Sequence, residues 1–163
     1  MELSTIDILI RLVIAVGLGG LVGIERTLAG KTAGMRTYAL VSMGSALFVI
    51  ISVIVSSSFI NNFTFDPLRI ASQIVVGIGF IGAGLVFHNN REMKASGITS
   101  AAGLWVSAGI GMASGFGIYV LALIVALLTL VIFTVLWYVE KGLKIISYSD
   151  EKVEIETSER LHE

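Results

Sequence analysis

Cysteine is absent from these 163 residues, proline occurs once and histidine twice. The missing cysteine excludes disulfides, thiolate metal sites and cysteine nucleophiles. His88 and His162 stand alone, without ligand spacing around them. Charge is scarce as well: Asp, Glu, Lys and Arg make up 14% of the chain, where a soluble domain carries roughly a quarter. No Arg/Lys-rich stripe and no RNA-binding aromatic motif is present, which argues against nucleic acid as a partner. No Ser/His/Asp arrangement is suggested by order or placement, so the sequence gives no ground for an enzyme and none for a cofactor. The formal net charge of −1 says little about partners, because the charges are unevenly spread.

What fills the chain instead is apolar sequence. Hydrophobic residues reach 55% and the mean hydropathy is +0.91. A dense soluble core could account for the fraction but not for the unbroken runs, since a soluble helix needs a polar face. A helical membrane span takes ~20 mainly apolar residues. Five segments qualify: about Ile6 to Ile24, Thr37 to Ser57, Leu68 to Phe87, Ile98 to Ser114 and Ile118 to Val139. The fourth is short and rich in Gly, Ala and Ser. It reads as a true span, with a re-entrant or lipid-shielded segment as the alternative. Trp137 and Tyr138, closing the fifth, suit the water–lipid boundary. The fold class expected is an all-α, polytopic membrane helix bundle. The first apolar run is a retained helix and not a signal peptide, because Glu2 and Asp7 occupy the place of a basic n-region.

Basic residues orient the bundle. Arg26, Lys31 and Arg36 lie in the first connection, Arg91 and Lys94 in the third, and Lys141 and Lys144 after the fifth span. With five spans all seven fall on one side, which places the N-terminus outside and the C-terminus in the cytoplasm. Asp66 before Pro67 reads as the stop of a loop and the cap of the third helix. Residues 1–144 form the membrane domain. Residues 145–163 form an acidic cytoplasmic tail, a remnant or the start of a further domain.

Two features carry the functional reading. The first is small residues. Gly77, Gly79, Gly82 and Gly84 thin one side of the third span, and such faces let helices approach where lipid supplies no hydrophobic drive. The G-x-G-x-x-G inside this run lacks the strand and acidic residue of a dinucleotide site. Gly17, Gly19, Gly20 and Gly23 give the first span a similar face. The second feature is G-I-E-R-T-L-A-G-K-T-A-G-M-R-T, a charged run wedged between two apolar stretches. Ionisable residues at a span edge are costly and rarely idle. The run reads either as a tolerant positive loop or as an interfacial network in which Glu25 pairs with an arginine. Arg69, with Gln73 one turn later, reads as a snorkelling arginine, as does Arg11. The carboxylates Asp7, Glu25, Asp66 and Glu92 form no cluster, which speaks against a Mg²⁺ cage.

Three ordered stretches resemble the MgtC/SapB family. They are G-I-E-R-T-L-A-G-K-T-A-G-M-R-T-Y-A-L-V-S-M-G-S-A-L, D-P-L-R-I-A-S-Q-I-V-V-G-I-G-F-I-G-A-G-L-V-F and G-I-T-S-A-A-G-L-W-V-S-A-G-I-G-M-A-S-G. The likeness runs from about Leu18 to Gly117. It implies a bacterial inner-membrane protein linked to growth at low magnesium and, in some pathogens, to virulence and survival in macrophages. Members of that family act by binding other membrane proteins, ATP synthase among them, and are not established transporters. The positions matching the family's polar signature are Glu25, Arg26, Lys31, Arg36, Thr37, Asp66, Arg69, Gln73 and Thr99. Ser100 and Gly103 depart from it, standing where the family usually has Thr or a Ser/Thr hydroxyl.

The resulting expectation is a non-enzymatic partner or regulator of membrane complexes under magnesium or acid stress. It would sit in the lipid bilayer of the inner membrane as a homo-oligomer, a dimer foremost. The alternative is a small transporter or channel for Mg²⁺ or another solute. A transporter should carry several polar groups at mid-span depth, where this chain has mainly Gly, Ala and Ser.

Overall fold

A computed structural model describes residues 3–58, 66, 68–87 and 97–143. Among them every regular element is a helix. In order these are α1 (Thr5–Leu28), α2 (Met35–Ser58), α3 (Leu68–Phe87), α4 (Ile98–Gly115) and α5 (Tyr119–Val131), followed by a π-helical turn at Ile132–Leu136. The chain divides into two compact units, Met1–Thr129 and Leu130–Glu163. Residues 145–163, expected as an acidic tail, lie outside the described residues.

Helix ends follow local chemistry. Ser4 and Asp7 form a capping box at the start of α1: the Asp7 amide donates to Ser4 Oγ at 3.1 Å, and the Ser4 amide to Asp7 Oδ2 at 3.2 Å. The far end of α1 closes on Gly30 with φ 63°. There the Lys31 amide reaches Arg26 O (2.9 Å) and the Gly30 amide reaches Thr27 O (3.1 Å), a left-handed glycine cap. The same device ends α4. Gly117 has φ 81°, and the Ile118 amide bonds Ala113 O at 2.8 Å. Asp66 starts α3, its Oδ1 accepting from the Leu68 amide at 2.9 Å. That is the capping role its position before a helix predicts.

The boundaries correct one expectation. Glu25 and Arg26 are not in the loop after the first span. They belong to the last turns of α1, and Arg36 and Thr37 to the first turn of α2. Polar side chains do not stop a helix whose backbone bonds continue, and it is Gly30 that stops this one. The connection shrinks to residues 29–34.

Among the described residues four helices are long and apolar enough to cross a membrane: Thr5–Leu28, Met35–Ser57, Leu68–Val86 and Tyr119–Leu143. They mark a multi-pass membrane protein. The shorter, less apolar α4 packs against α1, α2 and α3, and Ser100, Gly103, Leu104, Ser107, Ala108 and Ile110 are among its buried residues. Its small, weakly apolar composition follows from that position, since it faces helices more than lipid. At 18 residues it is about 27 Å long, close to the ~30 Å hydrocarbon core.

Glycines set the closest approaches, and they are not the ones on α3. A Cβ at Gly19 of α1 would lie 2.6 Å from Ser42 Cβ, and one at Gly23 would lie 2.6 Å from Met35 Cα. From α4, a Cβ at Gly111 would run into Ser42 O, and one at Gly115 would lie 2.8 Å from Ala46 O. These contacts place α1 antiparallel and α4 parallel to α2. Of the four α3 glycines expected to pack, only Gly82 meets a neighbour, Ala101 Cβ at 3.5 Å. Gly77, Gly79 and Gly84 meet nothing within 4 Å, which corrects that expectation within the chain. A run of glycine thins a helix all round and does not say which side is covered.

In the second unit the described residues are 130–143. Thr134 Oγ1 donates to Leu130 O at 2.7 Å. The Trp137 and Tyr138 rings meet edge to face with centroids 4.9 Å apart, and the Lys141 ammonium lies 5.4 Å from the Trp137 ring centre.

Gly111→Ala should destabilise the detergent-solubilised protein by about 1–3 kcal/mol, the usual cost of overpacking, because its methyl group meets a backbone carbonyl. Gly77→Ala should leave the thermal midpoint within error of the parent. Parallel thermal scans decide it, and equal midpoints would remove the α2–α4 crossing from the bundle's main supports.

Candidate functional site

The charged run folds into a compact polar end of the bundle. Glu25 and Arg26 form an ion pair through Glu25 Oε2 and Arg26 Nε, with side-chain exposures of 20% and 5%. Burying a guanidinium is costly unless it is paired and hydrogen-bonded. Tyr38, fully buried on α2, stands within electrostatic reach of both charges. Its hydroxyl donates to Ser100 O at 3.1 Å, and its own carbonyl accepts from Ser107 Oγ at 2.9 Å. Tyr38 thus fastens α2 to α4 through both its side chain and its backbone. Thr27 braces the short connection: its hydroxyl donates to Gly23 O (3.1 Å) and accepts the Met35 amide (2.8 Å).

Around this buried centre lie exposed groups. Lys31, Arg36 and Thr99 are exposed and Thr37 is half-buried. Asp66, Arg69 and Gln73 are elsewhere. The α3–α4 contacts, Gly82 against Ala101 and Gly97 against Leu85, put the end of α3 beside the start of α4. The start of α3 therefore lies at the opposite end of the bundle from Glu25. The nine signature positions do not form one site. No group of three His, Cys, Asp or Glu positioned to hold a metal ion occurs among the described residues.

That opposite end has its own anchor. Arg11 does more than snorkel: its Nη1 donates to Gly115 O at 2.6 Å, a cation set against the C-terminus of α4. Tyr38, Ser107, Thr27 and Arg11 were not among the positions singled out as functional. Arg11 carried a sequence signal, a charge inside a span, whereas a tyrosine in an apolar run carries none.

A model of the MgtC family matches residues 12–141. The chain belongs to the MgtC family. It is 42% identical over 133 residues to the YhiD protein of Escherichia coli (strain K12), whose name proposes a magnesium transporter. That match takes in 80% of the chain and 61% of YhiD. Protein MgtC of Brucella abortus (strain 2308) is 44% identical over 90 residues, covering 55% of the chain and 34% of that protein. A protein of Synechocystis sp. is 41% identical over 123 residues, 76% of the chain and 49% of that protein. The chain thus spans about 61% or less of the length of these curated relatives. No solved structure matches.

Glu25→Ala removes the carboxylate beside the buried Arg26. The expected loss is about 2 kcal/mol, under the ~3–5 kcal/mol of a fully buried pair because Glu25 still meets solvent. Tyr38→Phe should cost about 1 kcal/mol and Lys31→Ala almost nothing. Thermal or denaturant unfolding in detergent gives the order, and a Lys31→Ala loss equal to that of Glu25→Ala would show the pair to be unimportant.

Proposed function

We propose that this chain is a non-enzymatic protein of the bacterial inner membrane that regulates or partners other membrane complexes when magnesium is scarce or the surroundings are acid. One observation supports this above the others. Four buried polar groups inside the first unit are engaged with each other or with backbone: Arg26 with Glu25, Tyr38 with Ser100, Ser107 with Tyr38, Ser114 with Ile110; Ser42 Oγ and Arg11 Nε are the buried exceptions among the described residues. Groups so engaged are not free to replace a solute's hydration shell, and the Tyr38 and Ser107 bonds also hold α2 to α4. Lys31, Arg36 and Thr99, exposed at the same end, offer a charged face to a partner. Family membership favours the link with magnesium limitation. By that resemblance the partners are membrane proteins, ATP synthase among them, and the protein acts as a homo-oligomer, a dimer foremost.

The name carried by YhiD favours a second reading, transport of magnesium. Reconstitution separates the two. Liposomes containing the purified protein and a Mg²⁺-sensitive dye should show no influx above protein-free vesicles. In cells grown at low magnesium, Lys31→Glu combined with Arg36→Glu should abolish complementation at an unchanged level of membrane-inserted protein. Saturable Mg²⁺ flux abolished by Glu25→Gln would overturn the regulatory reading and establish the transporter.

A further inference from the structure

Helix α3 touches α2 far less than it touches α4. Between α2 and α3 the bundle leaves a groove of about 600 Å³. Val41, Gly44 and Phe48 form one wall, and Gln73, Gly77 and Ile81 the other. Gly44 and Gly77 create the space, since a Cβ on either would meet nothing within 4 Å. Along α3 the lining runs from Ile70 to Ile81. That is about 16 Å of helix, close to the ~15 Å depth of one leaflet's hydrocarbon, half of a ~30 Å core.

One end of the groove is basic. Arg69 lies one turn before Gln73 on the same face of α3 and is exposed. Among the described residues its side chain has no ion pair, and the nearby Asp66 carboxylate accepts from the Leu68 amide. The order of chemistry along the groove is therefore cation, amide and apolar slot. A phospholipid has the complementary order: phosphate, ester carbonyls and acyl chain.

We propose that the α2–α3 groove binds an anionic phospholipid, one acyl chain lying between Gly44 and Gly77 and the phosphate on Arg69. Gln73, about 6 Å further along the helix, stands at the depth of the esters, and its amide can donate to their carbonyl oxygens. The chain fills a slot whose walls would otherwise lack contact partners. Arg69 supplies the preference for negative headgroups. A partner helix in the same place would have to bring its own carboxylate to Arg69.

Native mass spectrometry of the full chain, released from nanodiscs of phosphatidylglycerol or phosphatidylcholine, tests the proposal. The expected result is one retained phosphatidylglycerol per chain, preferred about fivefold over phosphatidylcholine. Arg69→Gln should erase the preference while some lipid of either kind remains. Gly77→Leu should abolish retention of both with an unchanged thermal midpoint in lipid-free detergent. If Gly77→Leu does not fold, Gly44→Leu blocks the groove from the other wall. Undiminished retention in the folded blocking variant overturns the proposal. So does a variant that keeps its lipid but loses an oligomer present in the parent, since the groove would then be a helix seat.

Discussion

The bundle depends on how closely two helices approach the backbone of α2 at Ser42. Gly19 of α1 and Gly111 of α4 press on that residue from different sides, at separations that leave no room for a methyl group. In lipid no hydrophobic force draws helices together, so packing and hydrogen bonding must do it. Gly23 and Gly115 continue the contact along α2 in either direction. The arrangement carries a cost. Ser42 Oγ is buried and has no hydrogen-bond partner among the described residues, a loss of about 1–3 kcal/mol for an unsatisfied hydroxyl. Close packing along the crossing has to exceed it.

The polar contacts that link α4 to α2 and α1 require this approach. Tyr38 reaches the Ser100 carbonyl and receives Ser107 only because α4 lies against α2. Arg11 reaches the Gly115 carbonyl because α1 runs antiparallel to α4 and packs against it. The two anchors sit at opposite ends of the same three helices. They act as stops against sliding, since a shift of one residue rise, about 1.5 Å, would break both. The Glu25–Arg26 pair adds no bond between helices itself, because both residues are on α1. Its part is to neutralise a buried guanidinium.

Much of this fold could be read from the sequence: five helices, the cap at Asp66 and, as one of two readings of the charged run, a pair between Glu25 and an arginine. Hydropathy and charge are properties of composition, and a single chain displays them. Contact direction is not. The glycine-rich run of α3 attracted attention because glycines crowd there, yet Gly77, Gly79 and Gly84 face open space. Gly111, one small residue among many in α4, carries the tightest contact. Tyr38 was missed for a related reason. Nothing in Arg36-Thr37-Tyr38-Ala39 distinguishes a tyrosine facing lipid from one bonded to another helix. Arg11 was visible as a charge, but its partner is a backbone carbonyl 104 residues away, which no residue type announces. Polarity in the charged run suggests a helix stop near Ile24, but α1 continues to Leu28. Gly30, which does stop the helix, was present in the motif.

The contrast between α3 and the other helices of the first unit has a physical consequence. Helices α1, α2 and α4 are locked by backbone-level contacts and by anchors at both ends. Helix α3 meets α4 at Gly82 and Leu85 and leaves most of its surface open; Ile78 and Gly82 are its buried residues among those described, and Phe80 is 85% exposed. In water such an apolar helix would be driven inward. In a bilayer it need not be, and its position rests on the few side chains it shares with α4 and on whatever fills the space beside α2. The closely packed part of the bundle and the openly packed part are thus adjacent, and Gly44 and Gly77 mark the boundary between them.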